Sequence, residues 1–298
     1  MKVLKLIFIS LLFFFVSSES WSQNHDTIFI NQFLPAHCGT PSCSEERREY
    51  LIDLYAKELS ELEEWKVFHI QAHIIKDLNG VSRINDSILI EAIESLNKSF
   101  HSAHIRFELN PEIFYQNSNY VLDDLRKNLS IEIKITDKNW IREVINLYIV
   151  QSTNQLQGYT PILQKDFDRL DEYELNKIFI ADRALGNGAT LQHEMGHFFN
   201  LHHTHGNSPL EATTKELPDG SNCLTTGDLI CDTPSDPNGQ LDCCTCEYMG
   251  TINPQPYEFN PLVNNFMSYY KYCCKNAFTP GQLLMMRKSA IYHRAYLK

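Results

Sequence analysis

The sequence predicts an α+β protein whose first part is α/β-like and whose second part is irregular, cysteine-rich and closed by a helix. Three observations carry this. Alternating apolar residues over 67–74 and 105–109 flank a helical apolar stripe, which reads as strand–helix–strand. Apolar runs over 145–150 and 176–181 read as further buried strands. Residues 205–262 then lose periodicity and fill with Gly, Pro, Asn, Asp and Cys, and seven of the nine cysteines fall between 223 and 274.

Taken in order, the chain begins with Lys2 and Lys5 ahead of an apolar run from Leu6 to Val16 and the small residues Ser17, Ser18 and Ser20. This predicts a secretory signal peptide over 1–20, too short an apolar run to span a bilayer. No later stretch is apolar enough to cross a membrane, so no span is expected in the mature form. Residues 21–65 read as a propeptide or an N-terminal arm. They begin with little periodicity and then carry a partial stripe of Leu51, Leu54, Leu59 and Leu62.

From Val67 the pattern is that of a folded domain, 66–298, with an upper subdomain 66–203 and a lower one 204–298. Phe68, Ile70, Ala72 and Ile74 alternate with polar neighbours as in a strand. A helix with Leu89, Ile93, Leu96 and Phe100 on one face follows, capped by Asp86 or Ser87. Ile105, Phe107 and Leu109 supply the next strand, and a crossover helix between two strands predicts parallel pairing. Residues 111–140 fit no pattern, and 151–174 read as a surface excursion. Gly186-Asn187-Gly188 feeds a helix, and Thr279-Pro280 opens the last one, with Leu283, Met286, Ile291 and Tyr292 on its inner side.

With 43% hydrophobic and 21% charged residues the chain can build an ordinary core, and a net charge of −11 disfavours nucleic acid as partner. Oligomeric state is not legible. Export permits disulfides, and an odd cysteine count leaves at least one thiol over.

The chemistry concentrates in His193-Glu194-Met195-Gly196-His197-Phe198-Phe199-Asn200-Leu201-His202-His203. On a helix His193 and His197 lie one turn apart and can face one ion, with Glu194 about 100° round, near an ion-bound water. That is a zinc hydrolase arrangement lacking a third ligand. His203 can supply it if the helix stops and the chain turns back, which needs a residue tolerant of left-handed backbone. Asn200 is such a residue. His202 is one position out of register, His205 lies beyond the ligand set, and His69 and His73 sit on a strand face.

This motif, followed by Asn265-Phe266-Met267-Ser268-Tyr269, resembles the metzincin zinc endopeptidases, and within them the pappalysin (cytophagalysin-like) family. Gly227-Asp228, Asp232-Thr233-Pro234, Cys274 and Phe278-Thr279-Pro280-Gly281-Gln282 extend the likeness over about residues 67–290. Asn200 and Ser268 depart from the family pattern. The resemblance implies the metzincin fold: a twisted mixed sheet, two long helices above a cleft, and a disulfide-rich lower subdomain ending in a helix. It implies a catalytic zinc on His193, His197 and His203, Glu194 as general base, and Met267 as the apolar floor. Tyr269 then lies close to the metal, as an oxyanion stabiliser or a packed turn tyrosine.

The same likeness makes Asp228 and Thr233 candidate ligands for a structural calcium. It suggests Cys223–Cys246, and Cys243 or Cys244 with Cys274, leaving Cys231 and Cys273 extra. Cys38 in His37-Cys38-Gly39-Thr40 resembles a zinc-blocking propeptide thiol; a Cys38–Cys43 bridge is the alternative. The expected function is a secreted (extracellular or periplasmic) zinc endopeptidase acting on protein or peptide and made as a zymogen. The competing readings are a catalytically inactive secreted binding module of the same fold and a zinc hydrolase acting on something other than peptide.

Overall fold

Strand β2 (Lys66–Lys76) is the axis of the molecule. A computed structural model describes residues 37–38, 40, 45–59, 64–161, 175–206, 214–242, 245–251 and 256–297. The expected signal peptide and Cys43, Cys243 and Cys244 lie outside the described residues. Strands β3 (Ile105–Leu109) and β4 (Phe114–Asn117) pair in parallel with successive halves of β2 on one side. On its other side β5 (Ile145–Val150) pairs in parallel, followed by β7 (Lys177–Ala181). The parallel β2–β3 pairing is the one expected from strand–helix–strand.

The sheet becomes mixed at β6 (Leu156–Tyr159), which runs antiparallel to β7. Beyond it β1 (His37–Cys38) adds in parallel as the edge. Every residue of β5 and β7 is buried, including Lys177, as expected for strands covered on both faces. The Lys177 ammonium meets Glu132 Oε1 at 2.7 Å, and Tyr159 donates to Glu132 Oε2 at 3.1 Å.

The connections supply the helices. Helix α1 (Glu45–Ala56) stops well before the end of the stripe expected to reach Leu62. Its Leu51 and Leu54 are buried. Helix α2 (Asp86–Phe100) buries Leu89, Ile93, Leu96 and Phe100 as the periodicity requires, each contributing about 1.5–3 kcal/mol. Its cap is Asn85, whose side chain accepts from the Ile88 amide at 3.0 Å, and not Asp86 or Ser87. The stretch 111–140 holds β4 and two short helices, α3 (Leu122–Lys127) and α4 (Leu129–Thr136).

Helix α5 (Thr190–Phe198) carries the histidine motif. Below it the chain is mostly turns, with one small hairpin, β8 (Gln240–Leu241) and β9 (Tyr248–Gly250). Helix α6 (Pro280–Tyr292) closes the fold, with Thr279 and Gln282 forming a reciprocal capping box. Its inner face is Gln282, Met285, Met286, Ser289 and Ala290; Tyr292 points outward and bonds the Glu58 carbonyl at 2.7 Å. Lys288 reaches the Tyr55 carbonyl, so α6 is also the platform for α1.

The disulfides correct the expected pairing. Cys223 bonds Cys231, not Cys246, and Cys246 bonds Cys274, in place of Cys243 or Cys244. The reason is a local turn. Thr225 and Thr226 amides donate to Asn222 O, and Leu229 to Thr226 O, which folds 223–231 back until the two Cα atoms are 5.1 Å apart. Cys246 is thereby left for Cys274 beside the methionine turn. Among the described residues Cys38 and Cys273 are free thiols.

Candidate metal and catalytic site

Helix α5 begins at a turn built for it. Gly188 has φ 73°, and Asn187 Oδ1 accepts from the Ala189 amide at 3.0 Å and the Thr190 amide at 2.9 Å. The helix ends in a Schellman motif. Leu201 N donates to Gly196 O and Asn200 N to His197 O, both at 2.9 Å. Asn200 takes the left-handed position at φ 71°. Its side-chain amide also donates to Ser289 Oγ and lies against His293 Nδ1, each at 2.8 Å, so α6 holds the turn. Arg294 caps the same end through two donations to Phe198 O, at 3.2 and 2.9 Å.

The turn delivers His203 to the other two histidines. His197 Nε2 lies 3.2 Å from His193 Nε2 and 2.9 Å from His203 Nε2. Zinc at about 2.0–2.1 Å from three nitrogens of a tetrahedron separates them by roughly 3.3 Å, close to what is found. The far ring nitrogens bond backbone carbonyls: His193 Nδ1 to Phe266 O at 2.6 Å and His197 Nδ1 to Leu201 O at 2.8 Å. A carbonyl can only accept, so each Nδ1 carries the proton and each Nε2 offers a lone pair. Burial, then the charge of His197, holds His193 and His203 well below the usual histidine range. Three converging imidazole nitrogens suit a borderline-soft divalent cation.

Cys38 completes the cluster: one ligand atom from each of Cys38, His193, His197 and His203 lies within 4.8 Å of the others. Burial, then the charge of Glu194, pushes the Cys38 thiol up; a cation at the histidines acts in the opposite sense and favours the thiolate.

Glu194 is fully buried. Its Oε2 accepts from Thr40 Oγ1 at 3.0 Å and Thr160 Oγ1 at 3.1 Å, while Oε1 has no partner among the described residues. Burial pushes its carboxyl up to about 7, against hydrogen bonds from Cys38, Thr40 and Thr160. Gly158 on β6 makes room for it; a Cβ there would stand 2.9 Å from Glu194 Cγ. Neither Thr40 and Thr160 nor β6 itself was visible in the sequence.

Met267 is wholly buried beneath the helix. A Cβ on Gly196 would come within 2.5 Å of Met267 Sδ, so the glycine inside the motif is required by the floor below it. Thr204 N donates to Met267 O at 3.2 Å. Buried Asp236 accepts from Thr204 Oγ1 at 2.5 Å and from Tyr270 at 2.8 Å, tying the third-ligand turn to the methionine turn. Tyr269 lies between them, its ring 4.4 Å from His203 and 4.5 Å from His205, its hydroxyl donating to Cys38 O at 3.4 Å. His205 is buried here, and burial pushes it down to about 3. His73 lies apart, bonded to Asn146 Oδ1 at 3.0 Å.

Asp228 and Thr233 come together in the lower subdomain, with Glu216 as an unforeseen third member. Glu216 Oε2, Asp228 Oδ2 and Thr233 Oγ1 are all buried without a hydrogen-bond partner among the described residues. Burial, then the Glu216 charge, pushes Asp228 well up, and burial pushes Glu216 up to about 8.

The family model of Peptidase M43, described as Pregnancy-associated plasma protein-A, matches residues 140–290. The chain is 23% identical over 287 residues to an extracellular metalloprotease of Neurospora crassa, spanning 89% of this chain and 92% of that protein. It is 25% identical over 276 residues to an extracellular metalloprotease of Colletotrichum graminicola, 87% and 91% of the two chains. Promirolysin from Tannerella forsythia shares the fold at TM-score 0.58 and 19% identity, covering 85% of this chain and 89% of that one. Mirolysin in complex with compound 9 gives 0.55 at 19% identity, covering 78% and 96%. The mixed sheet, the helices above the cleft and the closing helix are thus the metzincin architecture.

Proposed function

Because the chain belongs to the M43 peptidase family of pregnancy-associated plasma protein-A, we propose that it is a secreted zinc endopeptidase made as a latent precursor. The observation that carries this reading is the convergence of three histidine nitrogens beside a buried glutamate. His193, His197 and His203 would hold zinc, which when bound would supply Lewis acidity to a water and to a peptide carbonyl. Glu194 accepts the proton of the attacking water and returns it to the leaving amine. A carboxyl near 7 suits both transfers at neutral pH. Tyr269 donates its hydroxyl to the developing oxyanion once Cys38 O is withdrawn.

Latency follows from the arm. β1 lies on the free edge of β6, where an extended substrate would add as a strand. Cys38, clustered with the three histidines, would exclude water from them, and Thr40 binds Glu194. Export is supported by the extracellular naming of the relatives, the disulfides and the expected signal peptide. Glu216, Asp228 and Thr233 would hold a structural calcium, whose charge would answer three buried oxygens that have no hydrogen-bond partner among the described residues.

The test compares the protein with Glu194→Ala on a peptide mixture, with zinc measured in both. The expected outcome is a fall of about a hundred- to ten-thousand-fold with zinc retained. Equal activity in the variant overturns the mechanism, and no activity in either, with zinc bound, favours a binding module. Cys38→Ala in the unprocessed chain should raise activity; no change would sink the latency reading.

A further inference from the structure

Lys275 follows the disulfide cysteine Cys274 and lines the small pocket bounded by Gln157, Thr190, His193, Glu194 and Tyr272. Its position next to His193 and Glu194 puts it beside the reacting bond rather than at a distant rim. The side chain is half-buried, and its ammonium donates to the Ser268 carbonyl at 2.5 Å. An ammonium has three donors. This one forms no ion pair with a described carboxylate, so two donors and the charge are left for something else. Cys38, Glu194 and Asp236 favour its charged form, against the effect of burial. No carboxylate of the described residues pairs with it directly, so an arriving carboxylate would supply that partner. The wall carries no acidic residue except the general base, so nothing there would receive a basic side chain.

We propose that Lys275 makes this pocket an anion-selecting subsite that takes a carboxylate of the substrate beside the scissile bond. The proposal rests on the peptidase reading above and deepens it. The carboxylate could come from an Asp or Glu side chain or from the end of a peptide chain, and the chemistry of capture is the same.

Two measurements test it. On the secreted protein, kcat/KM is compared for amidated peptides with Glu, Gln or Lys at each position flanking the cleaved bond, and for one peptide with a free terminus. At one position Glu should exceed Gln by about ten- to a hundred-fold, as expected of a charge-assisted hydrogen bond. Preference for the free terminus alone would identify the chain end as the source. Lys275→Met should abolish the preference and Lys275→Arg should keep it. Because each preference is a ratio within one protein, it is insensitive to the fraction folded. Equal losses for acidic and neutral peptides in Lys275→Met would overturn the proposal and leave Lys275 as a prop for the methionine turn. The second measurement needs no turnover: an NMR titration of the full chain with acetyl-glutamate amide and acetyl-glutamine amide. Tighter glutamate binding that disappears in Lys275→Met supports the subsite even if no peptide is cut. Equal affinities overturn it, and a failure of the peptidase reading shows separately as absence of any cleavage.

Discussion

The part of the site above Met267 and the part below it are held by different means. Above, α5 starts at the Asn187 turn, ends at the Asn200 turn, and sets the spacing of two histidines and Glu194 by helix geometry. Below, the described residues of 214–278 form little regular structure and are held by two disulfides and a few buried polar groups. The upper half supplies precision, because ring positions repeat with the turn of the helix. The lower half supplies closure, bringing Phe266 O, Met267 and Tyr269 against the histidines from far along the chain. The lower half carries more electrostatic strain, since Glu216 and Asp228 are buried together and no positive partner faces them among the described residues.

That contrast predicts where stability should respond to pH and to calcium. Glu216 has its folded carboxyl raised to about 8, above the ordinary value, so the folded chain binds more protons than the unfolded one between about pH 4.5 and 8. Stability without calcium therefore falls as pH rises through that window, by on the order of 3–5 kcal/mol for a shift of this size. Saturating calcium should remove most of the slope. Melting curves from pH 5 to 8 with EGTA and with calcium check this; parallel curves would remove the lower half's claim to a cation. Glu194 contributes a slope of the same sign that calcium should leave untouched.

Breaking closure directly should have the next largest effect. The Cys246–Cys274 bridge spans 28 residues, and in the loop-entropy account such a bridge contributes about 3–4 kcal/mol. Cys246→Ala with Cys274→Ala should lower the free energy of unfolding by that amount and loosen Tyr269. The Cys223–Cys231 bridge, closing a separation of 8 residues, should matter less. If both pairs behave alike, the methionine turn does not depend on its tether.

Gly196→Ala tests the contact between the halves. The added methyl would meet Met267 Sδ at 2.5 Å, and overpacking of this kind costs about 1–3 kcal/mol. Met267→Ala in the same chain should recover part of the loss. An additive double variant would mean that helix and floor do not press on each other.

These contrasts also explain what could be read from the chain beforehand. The histidine helix, β5, β7 and the stripe of α2 were legible because each is set by a period within a few residues. β6 was not, since Leu156-Gln157-Gly158-Tyr159 is short, broken by glycine, and built to lie beside Glu194 rather than to repeat a pattern. Thr40, Thr160, Glu216 and Lys275 act across 34 or more residues, or within a loop without periodicity, and nothing near them in sequence marks their partners. The disulfide pairing failed for the same reason: the Asn222 turn that brings Cys231 back to Cys223 is a matter of backbone carbonyls, not of spacing.

The smallest effect should come from the residue at the seam. Asn200 pays for left-handed backbone at φ 71°, which glycine would adopt freely. Its amide also donates to Ser289 Oγ at 2.8 Å, which glycine would forgo, leaving a buried hydroxyl with one partner fewer. Relief of about 1 kcal/mol and loss of about 1 kcal/mol nearly cancel, so Asn200→Gly should move the melting midpoint by only a few degrees. Asn200→Ala loses the hydrogen bond and keeps the strain, so it should be worse than glycine. If alanine were the better of the two, the left-handed turn would not be what brings His203 to the other two histidines, and the end of the upper half would not be set by that turn.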